Sequence, residues 1–372
     1  MKVPFFDYSR LYLDDKKLIL EAIESVGQRG AYILQKDLKD FESRLASYVG
    51  SPHAIGVANA TDGLEIIWKV VDIKPGDEVI ISSHTMIATA SAILMAGGTP
   101  VPVDIGHDGL IDPEAVEDAI TKNTIGISPT QLNGRTCQMD KLVSIAQKNK
   151  LVIVEDAAQG LGSTFDGKKA GSFGEAGVFS FYPAKILGCL GDGGAITTNN
   201  AEIYSKSYEM HDHGRNLNGE SVSWGRNSRL DNLQAAILNS KLESFTKTIE
   251  RRREIAQLYA DNLHEIEQIS LPEAPSKNKK NFDTFQNYEI QVERRNELQE
   301  YLKNNGIGTL IQWGGKAIHQ WDHFKYRKTL PVVEAFFEKC IMLPINLFVS
   351  DEDVIFVTRK IKEFYGYSTK GA

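Results

Sequence analysis

The sequence predicts an α/β fold with a mostly parallel central sheet, followed by a smaller α+β unit. Between about residues 50 and 200, short runs of β-branched residues alternate with stretches of helical period, a pattern typical of parallel strands joined by helices. The chain has 372 residues, of which 42% are hydrophobic. Because a single core rarely grows beyond roughly 250–300 residues, two units are expected.

The elements of the sheet follow from local pattern. Five short apolar runs have the length of buried strands, and they lie at residues 54–57, 78–81, 100–103, 124–127 and 151–154. Between the first two, apolar residues at positions i, i+3, i+4 and i+7 predict one buried helix face, formed by Leu64, Ile67, Trp68 and Val71. Helices are therefore expected on both faces of the sheet.

The chain changes character after Leu230. A charged stretch rich in Leu, Glu, Lys and Arg predicts one amphipathic helix over about residues 231–265, which bridges two units. A polar loop, a strand and a helix are expected beyond it, over 272–281, 287–292 and 295–304. The predicted division is a large domain with an N-terminal arm, residues 1–240, and a small C-terminal α+β domain, residues 241–372.

Charge and hydropathy argue against nucleic-acid and membrane partners. The formal net charge is −7, and the basic runs 251–253 and 277–280 are short enough to be ordinary solvated surface. The most apolar stretch, 87–96, is shorter than the roughly 20 residues that a membrane span needs. Charged residues occur close to the start of the chain, so no signal peptide is expected.

The cysteines indicate a reducing compartment. Cys137, Cys189 and Cys340 are odd in number, widely spaced and without the CxxC pairing of zinc or redox sites. We therefore expect free thiols, no metal site and a cytoplasmic location.

The first candidate for chemistry is an acidic strand end. Residues 151–159 read as a buried parallel strand that delivers Asp156 at its carboxyl end, the edge where ligands bind in wound α/β folds. A carboxylate there holds a protonated pyridine nitrogen, binds magnesium or caps the next helix. This segment alone leaves the three interpretations open.

The second candidate is Lys185, which follows a hydrophobic run in a turn rich in glycine. Scarce polar neighbours favour a partly desolvated amine, with a lowered pKa and reactivity toward an aldehyde. An exposed loop lysine is the ordinary alternative. The glycines form neither a P-loop nor a dinucleotide fingerprint, which argues against ATP and NAD.

The third candidate is a phosphate site at residues 59–64, between a predicted strand and an amphipathic helix. Free backbone N–H groups at the helix start, together with the Thr61 hydroxyl, suit a bound phosphate. Capping of the helix by Thr61 or Asp62 is the alternative.

Taken in order, these segments resemble one family, the DegT/DnrJ/EryC1/StrS sugar aminotransferases of the aspartate-aminotransferase fold (fold type I). The resemblance covers nearly the whole chain, and it implies a pyridoxal 5'-phosphate (PLP) enzyme with a mixed, mostly parallel seven-stranded sheet. The matching segments are PGDEVI at 75–80, EDAAQ at 155–159, GSFG at 171–174, SFYPAK at 180–185, GDGGA at 191–195 and NSRLD at 227–231.

The resemblance implies roles for individual residues. Lys185 resembles the lysine that forms the Schiff base with PLP, and Asp156 resembles the partner of the pyridine nitrogen, which it would keep protonated so that the ring accepts electrons. Gln159 resembles the residue beside the ring hydroxyl. The implied phosphate contacts are Thr61, the backbone of Asp62, Ser180 and, from a neighbouring subunit, Asn227. The expected active form is therefore a homodimer with a shared active site.

Three positions depart from the usual pattern of the family. Met86 stands where relatives usually stack an aromatic ring on the cofactor, and its thioether is expected to pack there instead. Gln131 stands where many relatives carry histidine. His84 is interpreted either as a neighbour of the ligands or as a buried structural residue.

The resemblance also implies a reaction. L-glutamate converts PLP to pyridoxamine 5'-phosphate (PMP), which then aminates a 3-keto or 4-keto deoxysugar linked to dTDP, UDP or GDP, for lipopolysaccharide or another surface polysaccharide or glycan. Lys185 is expected to move the proton between the amino acid and the cofactor. The expected substrate contacts are His84, Arg215, Trp313, His319 and Gln320.

Three alternatives stay open at this point. Members of the family that lack the lysine catalyse dehydration or deoxygenation, and the presence of Lys185 favours transamination. A free keto sugar acid is a second possible acceptor class. A regulator that binds the cofactor without turnover is the third, and the intact set of Asp156, Gln159, Ser180 and Lys185 argues against it.

Overall fold

The computed structural model describes residues 2–275 and 280–368, and residues 277–279 of the basic run lie outside them. Its helices, numbered in chain order, are α1 (Tyr8–Asp14), α2 (Lys16–Arg29), α3 (Lys36–Val49), α4 (Ala60–Val70), α5 (Ile87–Ala96), α6 (Pro113–Asp118), α7 (Met139–Asn149), α8 (Ala201–His211), α9 (Asn232–Leu242), α10 (Phe245–Leu263), α11 (Arg295–Asn304), α12 (Pro331–Lys339) and α13 (Asp351–Tyr365).

The strands are numbered in the same way. They are β1 (His53–Val57), β2 (Glu78–Ser82), β3 (Thr99–Val103), β4 (Thr124–Ser128), β5 (Val152–Asp156), β6 (Thr164–Phe165), β7 (Lys168–Lys169), β8 (Ala176–Ser180), β9 (Gly194–Thr198), β10 (Ile269–Ser270), β11 (Asn281–Phe282), β12 (Tyr288–Val292) and β13 (Cys340–Leu343). Short 3-10 turns follow at Leu132–Gly134, Gln312–Gly315, Ile318–Gln320 and Asp322–Phe324.

Seven of these strands form one sheet in the order β1-β9-β8-β5-β4-β2-β3. The pairs β3-β2, β2-β4, β4-β5 and β5-β8 are parallel, whereas β9 runs antiparallel to both β8 and β1. The predicted mixed, mostly parallel seven-stranded sheet is therefore confirmed. Each of the five predicted runs coincides with or overlaps a strand, from β1 to β5.

Helices cover both faces of this sheet, and β2 shows why its sequence is apolar throughout. Val79 and Ile81 pack with α4 and α5, whereas Ile80 between them packs against the other face, with Leu142 of α7. Successive side chains of a strand point to opposite faces, so a sheet covered on both sides needs continuous apolar runs. The predicted helix face is also present, because Leu64, Ile67 and Trp68 of α4 are all buried.

The single helix predicted over 231–265 is wrong in one respect, because α9 ends at Leu242 and α10 begins at Phe245. The two helices pack against different partners: α9 lies on α2 and α3, whereas α10 lies along α13. Phe245 and Ile249 are buried in the core of the large sheet, and Tyr259 is buried in the C-terminal core. The break after α9 allows the two helices to pack against different partners. Because α10 contributes to both cores, the predicted bridge is α10 and not the whole segment.

The C-terminal part contains a second, antiparallel sheet in the order β10-β12-β13. Its strand β12 and helix α11 match the strand and helix predicted for this region. The N-terminal arm joins this part, since Val3 pairs with Ile307 and Asn346 Nδ2 donates to the carbonyls of Pro4 (3.2 Å) and Phe5 (3.1 Å). The division at residue 240 stays a prediction.

Two further sequence expectations concern cysteines and membranes. The three cysteines are free thiols and all are buried. Among the helices that the structure describes, none has the length and apolar character to cross a membrane.

Candidate active site

A cavity of about 450 Å³ lies at the carboxyl edge of the large sheet. Carboxyl ends of parallel strands meet at one edge, so the segments that end or follow β1, β2, β4, β5 and β8 all contribute to its walls. From these segments come Asn59, Thr61, Thr85, Met86, Thr130, Asp156, Gln159, Ser180 and Lys185. The arm and the C-terminal part add further wall residues, among them Phe6, Arg252, Gln286, Asn287, Gln312 and Trp313.

Lys185 lies on the turn after β8 and is held from the C-terminal part of the chain. Gln286 Oε1 accepts the Ile186 N–H at 2.6 Å, and Gln286 Nε2 donates to the Ala184 carbonyl at 2.9 Å. Burial lowers the pKa of Lys185 to about 8, while the negative charge of Asp156 acts in the opposite direction. A sizeable fraction of this amine is therefore neutral and nucleophilic near pH 8.

Asp156 is the last residue of β5, and its carboxylate faces the cavity. Thr89 Oγ1 donates to Asp156 Oδ2 at 2.6 Å, and the Ala158 N–H donates to Oδ1 at 3.2 Å. Burial raises the pKa of Asp156, and these hydrogen bonds together with the charge of Lys185 counteract that rise.

The hydrogen bond from Thr89 to Asp156 fixes the direction of the hydrogen bonds along a row of three threonines. Thr85 Oγ1 lies 2.8 Å from Thr89 Oγ1 and 2.7 Å from Thr130 Oγ1. Each hydroxyl has one hydrogen, and that of Thr89 goes to the carboxylate, so Thr85 donates to Thr89 and Thr130 donates to Thr85. The row therefore presents a donor to Asp156 and favours its ionised form.

Gln159 lines the cavity with a fixed amide orientation. Its Oε1 accepts from the Asn133 N–H at 3.0 Å and from Asn287 Nδ2 at 3.1 Å. Because two donors occupy the oxygen, the NH2 group is the half of the amide that is available to a ligand. Gln159 is therefore arranged to donate to an oxygen in the cavity.

The start of α4 forms part of the cavity wall and offers donors that suit a phosphate. Thr61 in its first turn and Ser180 at the end of β8 both line the cavity, and amides of a first helical turn have no intrahelical acceptor. Gly194 of β9 lies against this turn. A Cβ there would lie 2.6 Å from the carbonyl carbon of Asn59 and 2.8 Å from the nitrogen of Ala60, so only glycine allows this close approach.

Comparison with known proteins identifies the family. The model of the DegT/DnrJ/EryC1/StrS aminotransferase family matches residues 13–362. The chain belongs to this family. Its predicted family and its fold type I architecture are thereby confirmed.

Individual members of the family are similar over their full length. The chain is 38% identical over 373 residues to the dTDP-3-amino-3,6-dideoxy-alpha-D-galactopyranose transaminase of Aneurinibacillus thermoaerophilus, covering 98% of this chain and 100% of the relative. It is 36% identical over 370 residues to a "Pleiotropic regulatory protein" of Geobacillus stearothermophilus, covering 98% and 99%. Among solved structures, DesV of S. venezuelae in complex with a ketimine intermediate superposes with a TM-score of 0.94, at 34% identity and 99% coverage of both chains.

Most of the cofactor contacts implied by the family lie together in this cavity, but two do not. Thr61, Met86, Asp156, Gln159, Ser180 and Lys185 all line it. The Asp62 N–H instead donates to Asn59 Oδ1 at 2.9 Å, which caps α4, and the Asp62 carboxylate pairs with Arg226 at 2.9 Å. Asn227 is exposed and pairs through its backbone with Asp212, outside the cavity of its own chain.

Of the expected substrate contacts, Trp313 lines the cavity and the other four do not. His319 is buried, with Nδ1 at 2.6 Å from Ser83 Oγ and Nε2 at 3.0 Å from Glu334 Oε1. The Gln320 side chain accepts the Ala317 N–H at 3.0 Å. Both ring nitrogens of His319 therefore have partners inside the protein, whereas Gln320 is exposed and lies outside the cavity.

The remaining two residues are also engaged elsewhere. His84 is fully buried among aromatic rings, and its Nδ1 lies 2.8 Å from the Gly109 carbonyl, which matches the structural alternative. Arg215 forms an ion pair with Asp212 at 2.7 Å. Neither of them lines the cavity.

Sequence reasoning missed other residues of this family member's site. Thr85 follows the end of β2 and Thr130 follows the end of β4, just as Asp156 ends β5. Because ligands bind at the carboxyl ends of parallel strands, the sequence could have identified both threonines. Gln286 and Arg252 come from the C-terminal part of the chain, well beyond the last strand end that forms the site's edge, Ser180, and no comparable sequence signal marks them. Tertiary packing alone brings them to the cavity.

Proposed function

We propose that this family member transfers the amino group of L-glutamate to a keto-deoxysugar linked to a nucleotide, with PLP as its cofactor. One observation carries the proposal: a lysine with a lowered pKa and an enclosed carboxylate line one cavity, at the positions where the family's motif has them.

The residues of the cavity fit PLP. Bound PLP supplies an aldehyde that condenses with amines and a pyridine ring that accepts electrons when a proton leaves the adjacent carbon. Asp156 is suited to hold the proton of the ring nitrogen, and the NH2 group of Gln159 is suited to donate to the ring hydroxyl oxygen. Thr61, Ser180 and the first turn of α4 provide donors for the phosphate.

Lys185 Nζ is the group that moves the proton. A neutral amine takes a proton from the α-carbon of the amino donor and returns it to the cofactor's carbon, so its acid form must be a competent donor at the working pH. A pKa of about 8 suits both directions. The hydrogen bonds of Gln286 to the peptides at Ala184 and Ile186 fix the backbone that carries this side chain, which favours a constant position of the amine in the cavity.

The acceptor is a nucleotide-linked keto sugar, the class of substrate on which the family's transaminases act. Beyond the cofactor residues, the cavity wall contains side-chain amides and aromatic rings, among them Asn287, Gln312, Asn346 and Trp313. Amides hydrogen-bond sugar hydroxyl and keto groups, and a ring packs on the apolar face of a sugar. We propose that the product enters the biosynthesis of a surface polysaccharide or glycan.

A homodimer with shared sites is part of the proposal. The segment that contains Asn227 exposes large apolar side chains, with exposed fractions of 72% for Leu217, 53% for Val222 and 96% for Trp224. Clusters of this kind mark protein interfaces. A second copy that covers the segment would take Asn227 to the neighbouring cavity, where it supports the phosphate.

Complementation between two inactive variants tests this arrangement. Lys185→Ala and Asn227→Asp are each expected to be severely impaired, because one lacks the nucleophile and the other places a negative charge beside the phosphate. Mixed dimers have one intact site, so refolding the two together should restore about a quarter of the wild-type activity. A mixture that stays as inactive as its components, or a wild-type protein that sediments as a monomer, would refute the shared site.

A second candidate, a regulator that binds PLP without turnover, is favoured by the name of the Geobacillus relative. The two candidates differ in what happens after PLP binds. A transaminase loses its visible absorption band when L-glutamate is added and regains it with the keto sugar, whereas a regulator keeps the band. Dehydration is less consistent with the chain, since that chemistry belongs to relatives without the lysine and Lys185 is present.

The deciding experiment combines this spectrum with product masses from a panel of dTDP-, UDP- and GDP-linked keto sugars and free keto sugar acids. We expect bleaching by L-glutamate and a mass increase of one sugar by amination. Lys185→Ala should abolish both, and Lys168→Ala, at an exposed residue outside the cavity, should leave both unchanged. Acceptance of free keto sugar acids alone would refute the nucleotide part, and a stable band with every donor would refute the transferase.

A further inference from the structure

The cavity contains a second cation, Arg252 of α10, which is not among the cofactor contacts that the family implies. Its side chain lines the cavity although only 5% of the residue is exposed. Nη1 donates to the carbonyls of Phe285 at 3.1 Å and Gln286 at 3.0 Å. Burial lowers the pKa of Arg252 to about 10, so the guanidinium is still charged at neutral pH.

This charge has no carboxylate partner within the described part of the chain. Nη1 contacts only carbonyl oxygens, Nε is enclosed without an acceptor, and no carboxylate raises the pKa of Arg252. The preceding residue shows the contrast, because Arg251 pairs with Glu254 at 3.1 Å and Asp351 at 2.8 Å. A buried cation without a counter-ion is costly, which is why proteins normally pair it.

The other charged residues that line the cavity do not act as a counter-ion for Arg252. Lys185 and Asp156 act on each other, as the direction of their mutual influence on pKa shows. Asp192 also lines the cavity, but it is exposed and has no resolved effect on Arg252. The cofactor's phosphate has its own donors at the start of α4. An anion that enters with a substrate is therefore the partner that Arg252 lacks.

A single residue, Gln286, connects Arg252 to the turn that contains Lys185. Its Nη1 contacts the backbone of Gln286, and the side chain of the same glutamine contacts Ala184 and Ile186 on either side of Lys185. An anion bound by the guanidinium would consequently lie close to the amine that reacts. A guanidinium binds a carboxylate through two parallel hydrogen bonds, a geometry that an ammonium does not offer.

We propose that Arg252 binds a carboxylate of the amino donor; where this is the side-chain carboxylate, the site selects a dicarboxylic amino acid. The inference rests on the proposed function, because it assigns a subsite to the donor half of that reaction. The bound carboxylate is the side-chain or the α-carboxylate of the donor; both have the same chemistry, and a panel of donors distinguishes them.

The test compares Arg252→Met and Arg252→Lys with Arg253→Met as the matched control. Arg253 is the next residue of α10 and lies outside the cavity, where it packs on Phe282. Two quantities are measured on the PLP-loaded protein: the L-glutamate concentration that half-saturates bleaching of the visible band, and the calorimetric affinity for glutarate, which cannot react. For Arg252→Met, loss of charge-assisted hydrogen bonds predicts a weakening of both by about tenfold or more.

The remaining variants and donors separate binding from structure. Arg252→Lys should lie between wild type and Arg252→Met, and Arg253→Met should match wild type. Amination of the keto sugar by the PMP-loaded protein should change little, whereas a structural defect would slow both halves and lower Tm. If the side-chain carboxylate is bound, only L-glutamate weakens; if the α-carboxylate is bound, L-glutamine and L-alanine weaken as well.

The inference and the proposed function fail in different ways. A wild-type band that does not respond to L-glutamate refutes the function, while glutarate binding still tests the subsite. Unchanged L-glutamate and glutarate dependence in Arg252→Met refutes the inference alone. Should Arg252→Met not fold, wild-type protein that binds neutral glutaramide as tightly as glutarate gives the same refutation.

Discussion

The two carboxylates at the end of β5 are neighbours in sequence and opposites in environment. Successive strand residues point to opposite faces, so Glu155 points away from the cavity and Asp156 points into it. Glu155 accepts four hydrogen bonds, from Gln131 Nε2 (2.7 Å) and from the N–H groups of Gly171 (2.8 Å), Phe173 (2.6 Å) and Gly174 (3.2 Å). Asp156 accepts two and has room for a ligand.

This difference gives the two carboxylates different roles: Glu155 stabilises the structure, and Asp156 is available to a ligand. Burial raises the pKa of both groups, and four hydrogen bonds offset this rise at Glu155, whereas two hydrogen bonds and the charge of Lys185 offset it at Asp156. A carboxylate whose oxygens are saturated by backbone stabilises a loop, here residues 171–174, whereas one that is partly satisfied can bind a ligand's proton. Gln131, which stands where many relatives carry histidine, belongs to the structural side because it donates to Glu155.

The largest effect should come from Asp156→Asn. The amide keeps the shape of the side chain but cannot hold a proton on the ring nitrogen, so we expect kcat/KM for amino transfer to fall by a factor on the order of 10²–10³. Thermal denaturation should show a Tm close to wild type, since the amide oxygen still accepts from Thr89. Near-normal activity would remove Asp156 from the chemistry.

Glu155→Gln should show the reverse pattern. Its NH2 group would face backbone N–H groups that now donate to the carboxylate, so the free energy of unfolding should drop by about 3 kcal/mol. Activity per folded molecule should stay within a few-fold of wild type. Urea denaturation and an active-site titration measure the two quantities. A stable but inactive Glu155→Gln would contradict the separation of the two faces.

The pH dependence of PLP binding tests the pair formed by Asp156 and Lys185. Only the neutral amine condenses with an aldehyde, so the rate of PLP loading onto the cofactor-free protein should rise with pH and level off above about 8. Asp156 raises the pKa of Lys185, so Asp156→Asn should move this profile to lower pH. Stopped-flow absorbance follows the reaction. A midpoint near that of free lysine would show that the amine is not desolvated.

Thr89→Val should have the smallest effect. It removes the hydroxyl donor to Asp156 and leaves Thr85 without its acceptor in the row, and the loss of one hydrogen bond to a charged group corresponds to a loss of about tenfold in kcat. The pKa of Asp156 should rise further, so the variant should lose activity at a higher pH than wild type does on acidification. Thr136→Val, which removes a buried hydroxyl pair with Ser163 away from the cavity, is the control.

Much of the fold and the centre of the site were predictable because their signals are local. Strand runs, the helix face of α4, Asp156 at a strand end and Lys185 in a glycine-rich turn all depend on residues close in sequence. The position of His319 outside the cavity could not be predicted locally, because its partner Ser83 lies 236 positions away. The break between α9 and α10 likewise follows from the core that Phe245 joins.

The hydrogen bonds of Gln286 to the peptides around Lys185 have a consequence for the order in which the site forms during translation. Once residues 1–200 have been synthesised, the chain already contains every strand of the large sheet and Lys185 itself. Gln286, whose side chain holds the backbone around this lysine, lies about 100 positions later in the chain. We therefore expect the backbone around Lys185 to reach its final position only after residue 286 has been translated.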